Sequence, residues 1–133
     1  MNAIIVLVAI FGFTYASHTV HSAQSCQCTG FFTSDITEGH AVYNILENND
    51  ISCNRPRPCA EYCLHTLTQL THDGDMSYEY QGSTIRDHIC KNYNRDIQNG
   101  EVAAYFRQCN GPWQLLQTAK ERICCKNGSA VSC

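Results

Sequence analysis

Ten cysteines in a chain of 133 residues constrain this sequence more than any other feature. Disulfides persist in the secretory pathway and outside the cell, and small domains there use them where the hydrophobic core alone is too small to hold the fold. The beginning of the chain points to the same compartment. Residues 1–16, MNAIIVLVAIFGFTYA, carry no charged side chain and hold an apolar run from Ala3 to Phe13. That run is too short for a bilayer span, which takes about 20 residues. It has the length of a signal-peptide core and is followed by the small residues Thr14 and Ala16. The expected organisation is a signal peptide at 1–16 cut after Ala16, with Ala23 the alternative cleavage site. A loose polar leader at 17–25 and one disulfide-stapled domain at 26–133 follow. No second apolar run occurs, so the expectation is a secreted, extracellular protein with no membrane span.

An even count predicts five bridges and no leftover thiol among Cys26, Cys28, Cys53, Cys59, Cys63, Cys90, Cys109, Cys124, Cys125 and Cys133. Their connectivity is open, but three pairs are geometrically poor. Cys26 and Cys28 would point to the same side of a strand, about 6.6 Å apart along it. Adjacent Cys124 and Cys125 would face opposite ways. Cys59 and Cys63 would stand one helical turn apart with side chains parallel. Each member of these pairs is therefore expected to anchor a different segment. Cys26-x-Cys28 and Cys59-x3-Cys63, with His65 nearby, could hold zinc, yet an oxidising compartment favours disulfides. No redox Cys-x-x-Cys motif occurs. No metal and no cofactor are expected.

The pattern between the cysteines predicts a small α+β domain with three to four short helices. Ala41, Val42, Ile45 and Leu46 fall at helical spacing around residues 40–47. A clearer helix opens at Pro56 and Pro58, carries Cys59, Cys63, Leu67 and Leu70 on one face, and ends at His72-Asp73-Gly74. Thr84 with Asp87 resembles a capping arrangement for a helix through Ile85, Ile89 and Tyr93. Val102, Tyr105, Phe106 and Cys109 fit another helical stripe, and Trp113, Leu116 and Lys120 a further segment. Asn127-Gly128 is a strong hairpin signal, because both residues accept positive φ. A C-terminal β-hairpin is thus expected, which the Cys26–Phe32 strand can join.

Chemistry is harder to find. A net charge of −3 with no Lys/Arg cluster argues against a nucleic-acid surface. No Gly-x-Ser-x-Gly, His-Glu-x-x-His or phosphate-binding glycine loop occurs, so no catalytic residues are assigned and an enzyme is not expected. His72-Asp73 lacks the Cys-Cys-x-x-His-Asp setting of secreted phospholipases and suits a helix end. Glu61 and Glu79 are the kind of carboxylate pair any acidic chain offers. The histidines at 18, 21, 40, 65, 72 and 88 show no ligand spacing. Tyrosines 62, 93 and 105 suit a core or its rim, and Tyr78 and Tyr80 could contact a partner. Asn127-Gly128-Ser129 is also a glycosylation sequon, so a glycan and the tight turn compete as readings of Asn127.

The cysteines and their neighbours carry a resemblance. Cys26-x-Cys28-x-Gly30-Phe31-Phe32, Cys59-x3-Cys63-Leu64, His88-Ile89-Cys90, Tyr105-Phe106-x-x-Cys109 followed by Trp113, and Ile123-Cys124-Cys125-Lys126-Asn127-Gly128…Cys133 together resemble the insect follicle-cell protein 3C family. The match runs along nearly the whole mature chain. It departs at Thr29-Gly30-Phe31, where the family has a hydrophobic residue before the glycine. The resemblance implies an extracellular, non-enzymatic role near the eggshell or epithelial matrix and supplies no binding residues.

Three functional readings follow. The first is a secreted protein of arthropod extracellular matrix or follicular epithelium, acting by structure or by interaction with an extracellular protein or matrix component. The second is a venom or defence toxin acting on a channel or membrane, for which the mild acidity is atypical. The third is a carrier of small apolar ligands, similar in spirit to odorant-binding proteins, sharing Cys59-x3-Cys63 but departing at Cys125-x7-Cys133. An apolar cavity of a few hundred Å³ favours the third, and a solid core argues against it.

Overall fold

The computed structural model describes residues 25–133, so the expected signal peptide at 1–16 and leader residues 17–24 lie outside the described residues. The strands are β1 (Cys26–Phe32), β2 (Leu46–Asn48), β3 (Glu79–Tyr80), β4 (Ser83–Thr84), β5 (Ile97–Gln108), β6 (Gln114–Lys126) and β7 (Ser129–Val131). The helices are α1 (Pro56–Leu70) and α2 (Ile85–Tyr93), with a short 3₁₀ turn at Glu38–His40. Five strands form one antiparallel sheet in the order β2-β1-β5-β6-β7, and β3 and β4 form a separate ribbon.

Both helices arise where local chemistry favours them. Pro56 and Pro58 sit in the first turn of α1, and Cys59, Cys63 and Leu67 form its buried face. The helix stops at Leu70, and His72, Asp73 and Gly74 all adopt left-handed backbone at φ 50°, 60° and 80°. The expected glycine is thus the last of three left-handed residues. At α2 the Asp87 N–H donates to Thr84 Oγ1 at 3.1 Å, and Asn94 closes the helix at φ 53°.

Three other helical expectations are corrected. Val102, Tyr105, Phe106 and Cys109 belong to or follow β5, and Leu116 and Lys120 lie in β6, so the described residues contain two α-helices instead of three to four. The 40–47 segment is not an α-helix either. Val42 N–H donates to Gly30 O and Thr29 Oγ1 to Tyr43 O, each at 2.9 Å, so this segment bonds to β1 and not to itself. The hairpin is present: Asn127 and Gly128, at φ 53° and 78°, join β6 to β7. The β1 strand enters the same sheet beside β5, two strands away from that turn.

The sheet buries both faces. On one face Phe32, Val42, Met76, Ile85, Ile89, Val102 and Ile123 pack together, continuing into Leu67 and Phe106. On the other Phe31, Ala103 and Tyr105 form a smaller core closed by Trp113. The cysteines pair as Cys26–Cys59, Cys28–Cys63, Cys53–Cys109, Cys90–Cys125 and Cys124–Cys133, and none of the three geometrically poor pairs occurs. Cys125 reaches α2 while its neighbour Cys124 reaches the last residue. Successive strand residues point to opposite sides, which permits this division.

Candidate functional site

The site begins with a glycine inside a strand, a position that often marks close backbone approach. Gly30 lies opposite Ala104 of β5. A Cβ there would meet Val42 Cγ2 at 2.9 Å and Tyr43 Cδ2 at 3.3 Å. Its absence lets the 42–43 segment cross over β1 and sets the Tyr43 ring against the core.

The helices then leave a gap. α1 packs on β1 and β5, whereas α2 packs on β6 and β7. Between them the sheet presents Gly30, Val102, Ala104 and Ala119, side chains too small to fill the space. The result is a pocket of about 330 Å³, partly open to solvent, with Leu64 and Leu67 of α1 on one side and Ile89 of α2 on another. This volume is at the low end for small-molecule sites. Asp73 is the one charged residue among the described lining residues. Two other hollows, of about 380 and 480 Å³, flank β7, and charged and polar residues are prominent in their linings.

Tyr43 lines the pocket, but its hydroxyl is sealed off from it. Its hydroxyl is buried and has no hydrogen-bond partner among the described residues. A buried donor left unpaired costs about 1–3 kcal/mol. Burial also pushes the phenol up to about 12, so it remains a protonated donor at physiological pH.

A second polar cluster gathers around Asp35. Its carboxylate accepts from Thr37 Oγ1 at 2.7 Å and Tyr93 Oη at 3.0 Å, and it pairs with His40 Nδ1 at 2.8 Å. The Thr37 hydrogen bond leads in holding Asp35 below its ordinary value, with His40 and Tyr93 acting in the same direction against partial burial. Thr37 donates to the carboxylate and not to the imidazole, so this is no nucleophile–base arrangement. The cluster clamps the Glu38–His40 turn onto α2.

The remaining expected site residues are dispersed. The sulfurs of Cys26, Cys28 and Cys63 lie within 4.8 Å of one another, but as members of two adjacent disulfides they offer no thiolate to a metal. His65 is exposed on α1. Glu61 pairs with Arg57 at 3.2 Å, and Glu79 stands exposed in β3. Tyr78 packs edge-on to His72 at 4.1 Å and Tyr80 to His88 at 5.8 Å, on the exposed 72–82 connector. Asn127 is exposed, and the turn engages its backbone N–H with Asp96 Oδ1 at 3.0 Å, so turn and sequon do not compete for the side chain. Sequence reasoning passed over Tyr43 and Asp35. The one available signal was Gly30 inside a strand. In comparison with known proteins, the chain matches no family model, no curated protein and no solved structure.

Proposed function

We propose that this is a secreted, non-enzymatic protein of an arthropod extracellular matrix, in or near the follicular epithelium, acting by structure or by protein interaction. The observation that carries the reading is the complete pairing of the ten cysteines, an arrangement typical of extracellular proteins. The order of those cysteines supports the narrower placement through its resemblance to the follicle-cell protein 3C family. No helix among the described residues is long and apolar enough to cross a membrane. The exposed Tyr78–His72 and Tyr80–His88 pairs offer aromatic contact surface to a matrix partner.

The test is expression of the full-length chain in insect cells with antibody staining of native tissue. Recovery from the medium with all ten cysteines oxidised, and staining at ovarian or other epithelial surfaces, is the expected result. Retention inside the cell, or absence from ovary and every epithelium, refutes the proposal. The pocket favours the ligand-carrier reading as a second possibility, because its volume meets the few-hundred-Å³ criterion.

A further inference from the structure

We infer that Asn127, at the tip of the turn between β6 and β7, carries an N-linked glycan. The inference rests on the secretory reading proposed above, because the sugar donor is met on that route.

Asn127-Gly128-Ser129 is the one Asn-x-Ser/Thr sequence in the chain. Two other Asn-Gly pairs, Asn99-Gly100 and Asn110-Gly111, are followed by Glu101 and Pro112 and lack the hydroxyl that completes a sequon. The fold uses the backbone of this tripeptide and leaves its side chains free. Asn127 and Gly128 take left-handed φ of 53° and 78°, and Lys126 pairs with Ser129 across the turn. Two carboxylates then pin the hairpin, again through backbone groups. Asn127 N–H donates to Asp96 Oδ1 and Ala130 N–H to Asp87 Oδ1, each at 3.0 Å. By contrast, the side chains of Asn127 and Ser129 are exposed and make no hydrogen bond to other described residues. Space is available as well: a Cβ on Gly128 would meet only Asn94 Oδ1, at 4.0 Å. A side chain with no structural duty, on a surface turn held by other atoms, accepts a bulky, solvated group without loss of packing.

The transfer balances without oxidation or reduction. Asn127 Nδ2 forms a bond to the anomeric carbon of a lipid-diphosphate-linked oligosaccharide. The sugar–phosphate bond breaks, the lipid diphosphate leaves, and the amide gives up one proton.

The full-length chain is expressed in insect cells in two versions, one with its own residues 1–16 and one with an established signal peptide in their place. Medium and cell lysate are digested with peptide-N-glycosidase A and compared with undigested controls. The expected result is a shift corresponding to one glycan, with peptide mass spectrometry placing the cleaved sugar on Asn127. Ser129→Ala removes the sequon's hydroxyl and leaves the Asn127-Gly128 turn in place, so the shift should vanish while the five bridges still form. Ser129→Thr should retain the shift. Because the sugar is added before export, the lysate reports it even for a variant that folds poorly. A glycan only on the version with the substituted signal supports the site and refutes the secretory reading of residues 1–16. No shift in that version overturns the inference and leaves the secretory reading standing. A shift that survives Ser129→Ala overturns the assignment to Asn127.

Discussion

Gly100 of β5 offers the sharpest test of how tightly this small core is filled. Its backbone lies outside the left-handed region, so alanine meets no conformational objection there. The obstacle is steric. A Cβ would sit 2.6 and 2.7 Å from Cε1 and Cδ1 of Phe32 and 2.8 Å from Ile97 Cδ1. Ile97 can turn its terminal methyl away. Phe32 cannot move easily: it is fully buried and its ring lies 4.6 Å from that of Tyr93. Overpacking of this kind costs about 1–3 kcal/mol, against about 0.4–1 kcal/mol gained by restricting the unfolded chain. Gly100→Ala should therefore destabilise by about 1–2 kcal/mol, and each kcal/mol lowers Tm by roughly 4 °C in a domain of this size. Gly39 is the matched control, because a Cβ there meets nothing within 4 Å. The same substitution at Gly39 should be neutral or stabilising by up to about 1 kcal/mol. Urea unfolding with disulfides intact measures both. Pairing Gly100→Ala with Phe32→Leu assigns the cause, since removing the ring should abolish most of the Gly100→Ala cost. A neutral Gly100→Ala, or a cost undiminished without the ring, refutes the reasoning.

Other outcomes follow from the same structure. Serine replacement of Cys90 and Cys125, which lie 35 residues apart, should cost about 4 kcal/mol, against about 2.6 kcal/mol for Cys124 and Cys133, 9 apart, if loop entropy dominates; equal urea midpoints would contradict that. The hydrogen-bonded Asp35 carboxylate sits below its ordinary value of 3.8, so its stabilisation is complete above that value and fades as pH falls through the lower folded one. Unfolding midpoints measured from pH 6 to 2 should show this loss, and Asp35→Asn should flatten it. Absorbance titration at alkaline pH should find one tyrosine ionising at about 12 that disappears in Tyr43→Phe.

The elements legible in the sequence were those whose signals are local. Thr84 and Asp87 announce α2, the prolines open α1, and Asn127-Gly128 specifies its turn without help from the rest of the chain. The β5 strand was not legible because both of its faces are buried. Val102 and Phe106 pack on one face and Tyr105 on the other, so apolar residues at i, i+3 and i+4 satisfy a helical template equally well. The 40–47 segment misleads for a different reason: its backbone bonds are made to β1, a partner that periodicity cannot reveal. Exclusion of the adjacent and near-neighbour cysteine pairs needed only strand and helix geometry, whereas their actual partners required the topology. The pocket was illegible for the same cause. Its small floor residues are scattered across three strands, and Tyr43 joins them only because Gly30 gives it room to cross.

The paired bridges from β1 to α1 have a mechanical consequence. Two cysteines two apart on a strand meet two cysteines four apart on a helix, so strand and helix are riveted at two points. One rivet would permit pivoting, but two suppress both swivel and sliding of α1 along β1. The sheet floor and the α1 wall therefore move as one plate. Any widening of the cavity must come from its opposite jaw, α2, which the single bridge Cys90–Cys125 ties to the sheet. A spin label on Leu70 should thus stay fixed relative to one on β1, while a label on the exposed Lys91 of α2 reports any widening.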